Sequence, residues 1–178
     1  MPQATTHILI ALVIGSLIRD YVLKNKKKFP LHYVLILGLA SLLPDFDVAL
    51  YWILYWFGFG FFEIHRTFAH SLIIPAIFLI LSGLTWKYKN RELGKHHLKV
   101  HTIFLVIALG VFIHLVLDFL LAGSIMPFYP FSHVSIGENL VNFLPSPLNG
   151  IFFPSLDAAL IILWLVYLEY KHKISDFI

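Results

Sequence analysis

A chain of 178 residues that is 59% hydrophobic and only 13% charged is not composed like a water-soluble domain, since those average about half apolar and a quarter charged. No cysteine is present, which excludes disulfides and thiolate metal sites. The net charge of +3 is slight, and no nucleic-acid partner is expected. The apolar excess sits in long runs, the mark of an integral membrane protein with one domain over residues 1–178.

The first apolar run covers residues 8–18 and extends to 23. It lacks a basic leader, and Arg19-Asp20 follows where small cleavage residues would stand, so it reads as a spanning helix and not a signal peptide. The second run, 33–43, is short of the about 20 residues a spanning helix needs. It becomes long enough if Pro44 is a kink and the helix runs on towards Phe57. Residues 48–62 are then either the outer half of that kinked helix or an interfacial segment, and their Trp and Tyr suit a membrane boundary. Further runs follow at 72–86, 103–121 and 158–168, with a proline-rich stretch at 127–154 that reads as an extended loop. The expected fold is all-α, a polytopic bundle of about five spanning helices plus interfacial segments.

Basic residues set the topology. Of the 13 Lys and Arg, all but Arg66 fall at one end of this arrangement. They lie at Arg19 and 24–28, between runs three and four at 87–99, and at Lys171 and Lys173. The positive-inside rule makes that side cytoplasmic, with the N-terminus outside and the C-terminus inside a plasma (inner) membrane. A separate crossing by 48–62 would place the basic 87–99 loop outside, against the same rule.

With that topology, His7, Asp45, Asp47, His65, His70, His114 and Asp118 all fall toward the outer half of the bundle. The inner stretches of helices one, three, four and five carry no charged residue and no histidine. His114 and Asp118 are four apart, about 40° around a helix, and so share a face. Asp45 and Asp47 flank Phe46 just after Pro44, where a turn or kink would present both carboxylates. His65 and His70 are poorly spaced for one helical face, which suits His65 before a helix and His70 in its first turns. Ionisable groups in spanning helices cost about 2.5–3.5 kcal/mol each at the helix centre and generally mark function. Three carboxylates there need a counter-cation, and the residues form a candidate metal site. His32, His96, His97, His101 and His172 flank basic loops and are expected to be solvated. Asp157 is expected to favour a helix N-terminus through the dipole.

Thr6-His7, Leu43-Pro44-Asp45-Phe46-Asp47, His65-Arg66 with His70-Ser71, and His114 with Asp118 followed by Pro130-Phe131-Ser132 form an ordered set of motifs. The set resembles the YdjM-like membrane-bound, metal-dependent hydrolases. The resemblance implies an α-helical membrane protein distantly similar to zinc-dependent phospholipase C and P1 nuclease. Carried over by position, it implies His7, Asp45, Asp47, His65, His70, His114 and Asp118 as metal ligands. Thr67 and Ala69 depart from the Gly and Thr frequent in that family, as do Phe119, Leu120 and Leu121 from its Thr or Ser.

Four His and three Asp exceed what one tetrahedral zinc uses and suit two metals bridged by a carboxylate. Zn is expected, with Mn or Fe as alternatives. Two divalent cations against three carboxylates leave a net charge of about +1, which with Arg66 favours an anionic phosphate ester. Asp45 or Asp47 would bridge the metals or take a proton from water, and Arg66 would clamp a phosphate oxygen. At membrane depth the expected substrate is a lipid phosphate or another lipid ester, and the expected partners are membrane lipids. Two other classes are open: a transporter of metal ions or protons, and a structural or regulatory protein whose metal holds the bundle together. A transporter would need polar access from both sides, and the bare inner halves argue against it.

Overall fold

A computed structural model describes residues 4–24, 28–88, 92–94 and 97–173. Helix α1 (Ala4–Leu17) runs on through a π-helical stretch, Ile18–Leu23. Helix α2 (Leu31–Ala40) is followed by a break and then α3 (Asp47–Leu54), which is flanked by 3₁₀ turns at Pro44–Phe46 and Tyr55–Phe57. The two halves meet at a 46° bend. Pro44 has no N–H for the helical ladder, and the Ser41 hydroxyl instead donates to the Gly38 carbonyl at 2.7 Å. Of residues 48–62, the stretch up to Phe57 is helical beyond the bend, which fits a broken span or a re-entrant segment. It exposes Trp52, Trp56 and Phe57.

A single-turn helix α4 (Phe61–Ile64) and a series of turns lead to α5 (Ile73–Thr85). A two-residue hairpin, β1 (Glu92–Leu93) with β2 (Leu98–Lys99), precedes α6 (Val100–Leu117), whose last turns pass into a π-helical stretch at Asp118–Ala122. Helix α7 (Leu148–His172) starts ten residues earlier than the run at 158–168 indicates. Pro147 sits at its entrance, and Pro154 is accommodated inside it. Among the described residues, three helices are long and apolar enough to cross a membrane: Ala4–Leu23, Val100–Leu121 and Leu148–Lys171. The bent pair Leu31–Ala40 with Pro44–Phe57 meets the same criteria taken together, and Ile73–Tyr88 is a shorter apolar helix.

Helix α6 is the central element, packed against α5, α2 and α1, while α7 leans on α1. Small residues set these distances, as is usual where lipid supplies no hydrophobic drive between helices. A Cβ added to Gly15 would lie 2.8 Å from the Leu37 side chain, and one added to Gly38 2.8 Å from that of Leu12. Ala11, Tyr33, Val34, Leu37, Val106 and Ile113 fill the space between. Ile162, Leu163 and Val166 of α7 face outward.

Lys24, Lys28, Lys87, Lys99, Lys171 and Lys173 lie at helix ends of one side of the bundle. Lys26, Lys27, Lys89, Arg91, Lys95, His96 and the side chain of His172 lie outside the described residues. At this end Arg19 is buried, pairs with Asp20 at 2.9 Å and donates to the Phe29 carbonyl at 3.2 Å. Tyr167 of α7 donates to Asp20, and the Lys99 amide to the Tyr33 hydroxyl at 2.6 Å. His101 departs from expectation: it is buried beside Trp86, because α6 turns it inward against the end of α5. His97 is exposed and pairs with Glu92.

Candidate metal centre

At the opposite end of the bundle, the local folding of five segments brings seven side chains together. His7 lies in the first turn of α1, and its neighbour Thr6 is buried. Asp45 lies in the 3₁₀ turn at the bend, and Asp47 opens α3. His65 ends α4. His70 lies in the connecting turns, three residues before α5 and not in its first turns as the spacing indicates. His114 and Asp118 project from the last turns of α6, where the passage into π-helical geometry begins at Asp118 itself. Such local π turns recur at functional sites.

The ring of His70 is the hub. Its Nε2 lies 3.6 Å from Asp45 Oδ1, 3.4 Å from Asp118 Oδ2 and 3.2 Å from His114 Nε2. Its Nδ1 lies 3.1 Å from Asp47 Oδ2. His114 Nε2 is also 3.6 Å from Asp45 and 3.5 Å from Asp118. His7 stacks on His114 with ring centroids 3.9 Å apart and brings its Nε2 to 3.5 Å from Asp118 Oδ1. His7, Asp47, His65, His70, His114 and Asp118 are all buried, whereas the Asp45 side chain is 31% exposed.

Among the described residues, three sets of donors are close enough to hold a metal ion: His7 with Asp45 and His114; Asp45 with His65 and His70; and His70 with His114 and Asp118. The first two share only Asp45. Asp47 stands outside all three, with one oxygen 2.8 Å from His65 Nδ1 and the other facing His70 Nδ1. It also accepts the Arg66 amide at 3.2 Å. A carboxylate on the far nitrogen of a metal-binding imidazole fixes ring orientation and raises donor strength. The geometry thus gives Asp47 an orienting position and Asp45 a shared one.

The donor set fits a metal on further grounds. His114 donates Nδ1–H to the Ser41 carbonyl at 2.7 Å, which leaves Nε2 as the lone pair facing the cluster. His7 Nδ1 and His65 Nε2 are buried without a hydrogen-bond partner, an arrangement that is costly unless something binds there. Burial opposes a charge on His70, yet Asp118, Asp45 and Asp47 around it raise its pKa to about 10. Three carboxylates around one point favour a positive charge there, be it a proton or a metal cation.

Arg66 adopts a left-handed backbone, φ 65°, beside the cluster. Its Nε and Nη2 are buried and make no hydrogen bond. Glu63, three residues away in the chain, accepts the Gly60 amide at 2.7 Å. Asp157 is not at a helix start as expected. It lies well inside α7, because α7 begins at Leu148, and its buried carboxylate accepts the Thr6 hydroxyl. This contact pins α7 to the turn that carries His7. An aspartate within an apolar run of sequence was the available signal for it.

The model of the YdjM inner membrane protein family matches residues 1–174. The chain belongs to that family. No curated protein and no solved structure matches. This YdjM family member is therefore an inner membrane protein, with a buried His and Asp cluster able to hold a metal ion.

Proposed function

We propose that this YdjM family member is a metal-dependent hydrolase, and specifically a phosphoesterase with two divalent cations. The observation that carries the reading is the sharing of Asp45 between two donor sets that are otherwise distinct, His7 with His114 and His65 with His70. Such a bridge is the hallmark of paired-metal sites. Cations bound here, Zn or else Mn or Fe, would supply a water acidified toward neutral pH and polarisation of a phosphoryl oxygen. The distant likeness to phospholipase C and P1 nuclease implied by the motifs points to the same chemistry.

The chain's own residues have separable tasks in this reading. His114 and His7 hold one side of the centre, and His65 and His70 the other. Asp47 keeps His65 and His70 oriented through their Nδ1 atoms. Asp45, the least buried carboxylate of the cluster, would lie nearest an incoming ester, either shared by the cations or taking the proton of the attacking water. Arg66, with Nε and Nη2 unpartnered, supplies the fork for a phosphate oxygen. The basic residues at the other end support, through the positive-inside rule, a site on the extracytoplasmic side.

A purely structural metal centre would be coordinatively closed, and the exposure of Asp45 argues for an open one. Transport would need a polar route to the basic end. Along the path there, the core is made of Ala11, Leu37, Val106 and their neighbours. The decisive experiment is elemental analysis of purified protein together with hydrolysis of a short-chain phosphatidate. Near two metals per chain in the wild type is expected, with turnover abolished in Asp45→Asn together with loss of metal, and reduced at least tenfold in Arg66→Ala without such loss. Full metal content without hydrolysis of any phosphate ester would favour the structural reading.

A further inference from the structure

The kink that carries Asp45 also forms one wall of a cleft of about 330 Å³. Its rim includes Pro44 and Ala69, the immediate neighbours of Asp45 and His70 in the chain. From there it descends along Ile74, Ile77 and Phe78 of α5. These three are spaced i, i+3 and i+4, so they share one face of the helix. Helix α5 runs from the metal end towards the basic end, so the cleft follows the outer, apolar side of the bundle away from the cluster, with Leu43, Phe68 and Ile77 exposed along it. Its volume is at the low end of the about 300–1,000 Å³ of small-molecule sites, which suits one hydrocarbon chain better than a whole two-chain lipid.

Two demands meet at the rim. The cation-holding cluster and the unpartnered Nε and Nη2 of Arg66 call for an anion. The apolar cleft, lined by the chain neighbours of Asp45 and His70, calls for hydrocarbon. A soluble phosphate ester satisfies only the first, and a neutral lipid leaves the guanidinium donors without acceptors, which is costly for buried groups. An amphiphile with an anionic head satisfies both.

We propose that this cleft is the hydrocarbon-chain subsite of the metal centre, and that the substrate is a membrane lipid bearing a phosphate ester. Its head lies at Asp45, His70 and Arg66, and one chain lies along Ile74, Ile77 and Phe78. The proposal deepens the phosphoesterase reading and rests on it for the fate of the head group. The placement of the chain is independent of turnover.

The test uses the full chain in phosphatidylcholine nanodiscs with a lysophosphatidate probe carrying a photoreactive diazirine at its chain end. Cross-links are expected on α5 near Ile77 and Phe78. Excess unlabelled lysophosphatidate should suppress them, whereas a monoacylglycerol of the same chain length should not. Ile77→Trp, which fills the cleft, should lower labelling at least tenfold at wild-type metal content. If that variant also loses metal, Ile77→Ala serves in its place, with labelling shifted deeper along α5. Labelling spread equally over the outward faces of α3 and α7, or suppressed equally by the neutral lipid, would overturn the subsite.

Hydrolysis separates this proposal from the one beneath it. Wild-type protein is expected to prefer long-chain over four-carbon phosphatidate in mixed micelles, and Ile77→Trp to reduce that preference at least tenfold. Equal hydrolysis of both chain lengths overturns the subsite and leaves the phosphoesterase standing. Head-dependent labelling without hydrolysis of either ester upholds the subsite and overturns the phosphoesterase.

Discussion

His114 donates its Nδ1 proton to the carbonyl oxygen of Ser41 at 2.7 Å, across the contact between α6 and the break in the second span. That carbonyl lies at the C-terminal cap of α2, where the α-helical hydrogen-bond ladder ends. The same break that Pro44 enforces thus presents Asp45 to the cluster and fixes the tautomer of His114. A kink and a metal-facing lone pair have one local cause.

The contact depends on Gly110. A Cβ there would come 2.7 Å from the Leu37 carbonyl oxygen and 3.1 Å from the Ser41 amide, both backbone atoms that cannot swing away. Gly110→Ala should push α6 off α2, destabilise the protein by about 1–3 kcal/mol and lengthen the His114–Ser41 bond. Thermal melts with and without added Zn, beside a Zn titration, would measure both effects. Zn affinity is expected to fall about tenfold or more, as when an orienting partner of a metal-bound histidine is lost. Unchanged affinity would detach the Ser41 contact from metal binding.

Asp45 and Asp47, two residues apart, should behave differently. Asp45 belongs to two donor sets, and Asp47 touches ring nitrogens of His65 and His70. Asp45→Asn should bring metal content from near two per chain towards one. Asp47→Asn should keep the stoichiometry at saturating metal while weakening affinity about 10–100-fold. Calorimetric titration of both variants distinguishes a lost site from a loosened one. Identical behaviour would place both carboxylates in the same role.

Metal removal should act on the whole bundle. The donors come from α1, the bend, the turns before α5, and α6, so bound metal ties together segments distant in sequence. A ligand that binds only the folded state stabilises it by about 4 kcal/mol at a thousandfold excess over its dissociation constant. Chelation is therefore expected to lower the unfolding temperature by several degrees, reversibly on re-addition of Zn or Mn. An unmoved transition would show that the helices hold the cluster without help.

Much of this arrangement was legible in the sequence because membrane helices leave ionisable residues few places to be. His7, His114 and Asp118 stand out against apolar runs, and the placement of Lys and Arg puts them at one end. The four-residue spacing of His114 and Asp118 fixed their common face. The division of labour between Asp45 and Asp47 was not legible, because it depends on a 3₁₀ turn meeting the start of α3. His101 was misread as solvated because its basic neighbours concealed that α6 turns it toward Trp86. The start of α7 was hidden by Pro147 and Pro154, which in sequence resemble loop punctuation.

Asp157 followed from that hidden start, and it carries the last prediction. Its carboxylate and the Thr6 hydroxyl are buried together between α7 and α1, one residue from His7. Asp157 belongs to none of the metal-holding sets. Asp157→Ala leaves the Thr6 hydroxyl buried without its acceptor, which should cost about 1–3 kcal/mol of stability. Asp157→Asn can still accept that hydrogen bond and should recover most of the loss. Metal stoichiometry is expected to stay near the wild-type value in both variants, since His7 keeps its place in α1 against His114. Melting temperature and elemental analysis on the same preparations check the pair of outcomes. Loss of metal from Asp157→Asn would mean that α7 helps build the centre itself, through the turn of α1 that it clamps.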